Sequence, residues 1–208
     1  MRLATRIAAA ALAGLAAVPG GPAAAGPPDD PATDPVRVRL VTVAGSGCPR
    51  GSAYVAPQPD DAGITVSFGG FRAATPPDPD LKACTLVLEV TPPAGYRARI
   101  GEVTYRGDAR LTGGHVTFKA KYQWAGGDTV VHPGWSRRGW FNDRWQVTQH
   151  PDRGQWSDCG TDRLNLTQSL RADGAGVNRI GMTRPDEDWA LRIDWRLDSC
   201  NRPDGGDR

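Results

Sequence analysis

A chain of 208 residues with 25 lysines and arginines against 23 aspartates and glutamates carries a formal net charge of only +2. Two of those arginines, Arg2 and Arg6, sit in an N-terminal export segment, which leaves 23 residues of each sign in the rest of the chain. Such a balance speaks against bulk electrostatic attraction to nucleic acid or to anionic membranes.

The chain opens with Arg2 and Arg6, an apolar run over residues 7–18, the breakers Pro19, Gly20, Gly21 and Pro22, and then Ala23-Ala24-Ala25. This order reads as a secretory signal peptide over residues 1–25, with an Ala-x-Ala cut after Ala25. The apolar run is 12 residues long, and a membrane span needs roughly 20. A secreted, extracellular chain with no membrane span after signal cleavage is expected. Residues 26–35 are proline-rich and acidic and read as a disordered leader. Residues 201–208 form a polar tail without apolar anchors, and residues 36–200 suit one domain.

Strands are predicted in order at 36–43, 64–68, 84–91, 100–105, 115–124, 145–149, 164–170 and 189–198. In 115–124, Val116, Phe118, Ala120, Tyr122 and Trp124 face one way, with Thr117, Lys119, Lys121 and Gln123 opposite. In 189–198, Trp189, Leu191, Ile193, Trp195 and Leu197 share a face opposite Arg192, Asp194, Arg196 and Asp198. A period of two means half-buried antiparallel strands. Proline- and glycine-rich clusters at 57–61, 75–80, 91–95 and 126–128 supply turns. The pattern predicts an all-β fold, an antiparallel β-sandwich or jelly roll.

Four cysteines, Cys48, Cys84, Cys159 and Cys200, all lie in the exported part. An even number in an oxidising compartment points to two disulfides. The spacings of 36, 75 and 41 fit no zinc pattern. No histidine lies within 60 residues of Cys48 to activate it as a nucleophile. Three pairings are possible; Cys48–Cys84 with Cys159–Cys200 is favoured because each closes a compact local unit.

Chemical motifs are absent. Gly45-Ser-Gly47 lacks the spacing of a nucleophile elbow, and there is no metalloprotease, phosphate-loop or dinucleotide signature. His115, His132 and His150 are scattered and read as surface or turn histidines, two of them preceding prolines. Asp186-Glu-Asp188 reads as a solvated turn rather than a calcium site. Asn165-Leu-Thr167 matches a glycosylation sequon but falls inside a predicted strand, so the match is accidental. No catalytic residue, metal or cofactor is expected.

Gly45-Ser-Gly-Cys-Pro49 follows an apolar strand, and a second cysteine heads Cys84-Thr-Leu-Val-Leu. Then come Trp156-Ser-Asp-Cys-Gly160, the alternating Leu164-Asn-Leu, and Asp194-Trp-Arg-Leu-Asp-Ser-Cys200. In this order, behind a signal peptide, the chain resembles the domain-of-unknown-function family 4360, small secreted four-cysteine proteins, over roughly residues 36–200. The resemblance implies secretion and paired cysteines, and supplies no activity. Residues 133–145 match the family pattern poorly.

That segment also stands out in composition. Trp135, Trp140 and Trp145 recur every five residues, with arginines between. One reading has Trp135 and Trp140 covering an edge of the sandwich while Trp145 enters the core. The other makes Trp135, Arg137, Arg138 and Trp140 a ligand surface, because indole faces stack on sugar rings and on arginine. Two function classes follow. The first is a non-catalytic secreted binding or structural module, with a polysaccharide or another extracellular protein as partner and no nucleic acid. The alternative is a secreted hydrolase whose site assembles only in the fold.

Overall fold

A computed structural model describes residues 34–59, 61–76, 79–151, 155–182 and 189–201. The expected signal peptide, residues 26–33 of the leader, the tail beyond Asn201 and the Asp186-Glu-Asp188 turn lie outside these residues. Ten strands follow in order: β1 Arg37–Ala44, β2 Ala53–Pro57, β3 Gly63–Phe68, β4 Arg72–Ala74, β5 Asp80–Thr91, β6 Tyr96–Trp124, β7 Val130–Gln149, β8 Asp162–Asp173, β9 Asn178–Gly181 and β10 Leu191–Ser199. Among the described residues there is no helix, and all pairings are antiparallel. The predicted all-β sandwich is therefore correct.

β6 organises the molecule. Its 29 residues would reach about 95 Å if straight, whereas a domain of this size is roughly 40 Å across. The strand must fold back. Tyr105 and Phe118, 13 positions apart in sequence, have ring centroids only 4.8 Å apart. Along one edge of β6 the partner changes from β10 at 96–105, to β9 at 108–111, to β8 at 115–124. β7 runs along the other edge. Two sheets result, β1-β5-β8-β6 and β2-β3-β10-β6, joined through the shared strand into a nearly closed sandwich.

Two differences from the predicted strands have physical causes. Strands predicted at 100–105 and 115–124 are one strand, because glycine lets the chain turn without breaking its ladder. At Gly107 a Cβ would clash with the Gly181 carbonyl oxygen and come within 3.0 Å of the Trp145 ring. The strand predicted to begin at 145 begins at Val130. Pro133 is tolerated there because β7 pairs only with β6 among the described residues, so its outer edge needs no ladder donor.

The core alternates as expected. Leu86, Leu88, Leu164, Leu166, Leu170, Val116 and Phe118 point in from one sheet, and Ile64, Val66, Ile100, Val103, Leu191 and Ile193 from the other. Both cysteine pairs close as predicted. Cys48–Cys84, with Cα atoms 5.3 Å apart, ties the β1–β2 loop to β5. Cys159–Cys200, with Cα atoms 6.0 Å apart, joins the approach to β8 in one sheet to the end of β10 in the other. The second staple thus sits at the open end, opposite the fold in β6.

His132 corrects the sequence reading. It is not a surface histidine but 2% exposed. Its register partner is Ala120, an inward residue, so the imidazole turns inward and meets Tyr105 edge-on at 5.0 Å. Gln168 lies across Ala120 on the other side and is 1% exposed. Among the described residues the Gln168 amide, the Tyr105 and Tyr122 hydroxyls and His132 Nε2 have no hydrogen-bond partner, while His132 Nδ1 accepts from the Gly134 amide at 2.9 Å. Burial disfavours every charged form here. It pushes Tyr122 up to about 12 and Tyr105 further, with Tyr122 adding to the shift. It lowers His132 from its ordinary 6.5. A histidine depressed in the fold binds its proton more readily when unfolded. Its stabilising share is therefore complete above about pH 6.5 and is lost as pH falls toward the folded value. Melting points taken from about pH 7.5 down to about pH 5 should fall in the wild type and fall less for His132→Gln; parallel curves would refute this.

Candidate functional site

The register of β7 on β6 decides what the tryptophan–arginine segment can do. Directly opposed residues of an antiparallel pair point to the same face. Trp135 opposes Phe118, Arg137 opposes Val116, Phe141 opposes Leu111 and Trp145 opposes Gly107, all on the inner side. Ser136 opposes Thr117, Arg138 opposes His115 and Trp140 opposes Thr112, all on the outer side. The four candidate residues are thus split by the sheet. Trp135 and Arg137 share the inner face, and Arg138 and Trp140 the outer one.

Aromatic packing runs along the inner face. Trp145 is 3% exposed, lies over the bare Gly107 position, and donates its indole N–H to the Asp108 carbonyl at 3.2 Å. Trp135 is half-buried and stacks on Trp145, with centroids 5.4 Å apart and planes inclined by 19°. Phe141 packs against Trp135 at 5.7 Å, and the Arg137 guanidinium caps Phe141 at 5.2 Å. Trp135 therefore covers the core, and Arg137 covers that cover.

The outer face is different. Trp140 is 79% exposed. Before it, Gly139 takes φ +77°, a left-handed conformation that favours glycine. There the register slips, so that Arg138 and Trp140 oppose His115 and Thr112. The Thr112 hydroxyl accepts from the Val177 amide at 2.9 Å, and Val177 is itself 53% exposed. Around this apolar strip stand Arg138 and His115. His115 Nδ1 lies 3.7 Å from the Asp173 carboxylate, which also accepts from Arg171 Nε at 2.8 Å. The arrangement offers a flat indole beside hydroxyl, imidazole and guanidinium groups, open to solvent, with the Thr117 hydroxyl 3.4 Å from His115 Nε2.

Residues 34–200 match the family described as Domain of unknown function (DUF4360). The chain belongs to this family. An uncharacterized secreted protein of Arthroderma benhamiae is 26% identical to the chain over 175 residues, covering 77% of the chain and 71% of that relative. With both disulfides formed and a secreted relative, this DUF4360 protein is extracellular. Two solved structures show distant likeness. The module TmCBM61 in complex with β-1,4-galactotriose has 16% identity and a TM-score of 0.31, over 79% of this chain and 88% of that one. The enzymatically active domain of bacteriophage CBA120 tailspike protein 4 has 10% identity and a TM-score of 0.25, over 78% of this chain and 19% of that one. Neither likeness bears on the ligand or activity of this DUF4360 chain.

Elsewhere in the DUF4360 domain, arginine–indole contacts escaped the sequence reading. Arg97 and Arg99 flank the Trp156 ring at 5.1 and 4.8 Å. Arg97 also meets Asp198 at 3.1 Å. Arg106 lies 3.4 Å from the Trp189 centroid and donates to the Trp189 carbonyl at 2.9 Å. These contacts hold loops onto the sheet. Among the described residues, no three of His, Cys, Asp and Glu come together to hold a metal ion, and no helix is long and apolar enough to cross a membrane.

Proposed function

We propose that the protein is a non-catalytic extracellular binding module whose ligand face centres on Trp140 and Arg138 and takes a polysaccharide. The observation that carries this reading is the 79% exposed indole in mid-strand. A large rigid aromatic left in water contributes little to folding, yet offers an apolar plane on which a sugar ring can stack. Arg138 and His115, beside it on the same face, supply the polar contacts that orient hydroxyl groups. Trp135 and Arg137 act as packing beneath that face and leave the ligand surface. Affinity electrophoresis of the full chain through gels containing different polysaccharides tests this. At least one polysaccharide should retard the wild type, and Trp140→Ala should weaken that retardation about tenfold, roughly 1.4 kcal/mol. Equal retardation of the two proteins would overturn the placement of the site.

A further inference from the structure

The chain is nearly neutral, but its charge is not evenly spread. The outer face of the β1-β5-β8-β6 sheet, extended by β7, presents Arg37 and Arg39 from β1, Lys119 and Lys121 from β6, Arg163 and Arg171 from β8, and Arg138 from β7. Strand parity and register put all of them on that side. Among the described residues, the same parity gives the part of this face that β8 and β5 build two carboxylates, Glu89 and Asp173, while Asp108, farther along β6, lies 3.9 Å from Arg179. Glu89 is engaged by Arg39 at 2.9 Å and Asp173 by Arg171 at 2.8 Å. Arg37, Lys119, Lys121, Arg138 and Arg163 are all exposed and form no ion pair among the described residues. The outer face of the other sheet contrasts with this. There Arg97 pairs with Asp198, Arg192 pairs with Asp194 at 3.0 Å, Arg99 and Arg106 lie against indoles, and Arg196 alone of the five stands exposed without an ion pair among the described residues.

The free cations form a track rather than a pocket. Strands lie about 4.8 Å apart, so β1 to β7 spans four gaps, about 19 Å, and Lys119 and Lys121 stand roughly 7 Å apart along β6. Charges spaced over such a distance suit a polymer that carries repeated anions, not one small anion. Between them the face carries Thr85, Thr167, Ser169 and Thr117, hydroxyls that can both donate to and accept from sugar hydroxyls. Among the described residues there is no helix to enter a nucleic-acid groove.

We infer that the ligand is an acidic polysaccharide, its carboxylate or sulfate groups lying on Arg37, Lys119, Lys121, Arg138 and Arg163 while one sugar ring stacks on Trp140. The inference rests on the Trp140 reading above and adds the charge class of the ligand.

The experiment titrates the full chain with polygalacturonate, with neutral dextran of similar length and with double-stranded DNA. The proteins compared are the wild type, Lys119→Gln/Lys121→Gln and Trp140→Ala, each at about 50 and about 500 mM salt. Polygalacturonate should bind the wild type; the double lysine variant should weaken that binding about tenfold, and the higher salt, which screens all five cations, should weaken it more. Trp140→Ala should weaken it too, and dextran should bind least. Dextran binding that is lost with Trp140 and indifferent to the lysines would keep the proposed function and overturn the acidic ligand. Polygalacturonate binding that needs the lysines but not Trp140 would keep the acidic ligand and overturn the Trp140-centred site. DNA bound as tightly as polygalacturonate, with the same salt dependence, would overturn the polysaccharide class. Binding of none of the three overturns both readings.

Discussion

Cys84→Ser is expected to lower the unfolding free energy by roughly 4 kcal/mol, the chain-entropy value for a loop of 36 residues. A second effect adds to it. Cys48 and Cys84 are both 0% exposed, and a serine hydroxyl in that apolar site, if unpaired, costs about 1–3 kcal/mol more. Against a total stability of about 5–15 kcal/mol, the change removes a large share of the fold. The surface pair gives the comparison. Cys159–Cys200 closes a similar loop of 41 residues, but Cys159 is exposed, so Cys159→Ser/Cys200→Ser lacks the burial penalty and should lose less. Urea unfolding of both variants measures the difference. Equal midpoints for Cys84→Ser and wild type would refute the stapling role, and thiol labelling of the native unreduced protein would refute the pairing.

Trp145→Ala should destabilise by about 3–5 kcal/mol, because it empties a site in the core. The indole fills the space that Gly107 leaves, stacks on Trp135 and lies 5.0 Å from Phe118. Trp140→Ala should change stability by less than about 0.5 kcal/mol, as surface substitutions usually do. Trp135→Ala should fall between, since it strips the cover from Trp145 without emptying the core. The order of the three midpoints is the test. If Trp140→Ala destabilises as much as Trp145→Ala, the outer indole is structural and no ligand need be sought on it.

The strand pattern was legible because burial on one side only writes itself as a period of two, as in Val116 to Trp124 and Leu164 to Leu170. The disulfide pairing was legible from separation and compartment. The character of the arginine-rich segment was not, since the strand was drawn only from Trp145 and Pro133 and Gly134 interrupt the alternation ahead of it. Once the segment is a strand, its five-residue spacing speaks. Trp135 and Trp145 are ten apart and share a face; Trp140 is an odd step from both and takes the other. That signal was present in the sequence and needed only the element to be recognised. His132 was missed for the same reason, because a histidine before proline looks like a turn until β7 is drawn against Ala120. Net charge misled in another way. A sum over the chain cancels the acids of the loops and termini against a basic sheet face, and only the strand register separates them.

The shared β6 strand also bears on how the protein survives outside the cell. Extracellular proteases cut chains that have opened, and folded proteins open locally at less cost than globally. Here β6 lends its edges to β10, β9, β8 and β7, so releasing either sheet strips partners from the other. The cheapest cleavable state of the central strands is then close to the fully unfolded one. When reclosing outpaces cleavage, susceptibility follows the population of that open state. Resistance to digestion becomes a property of the whole fold, and each staple that raises global stability protects the chain along its entire central length.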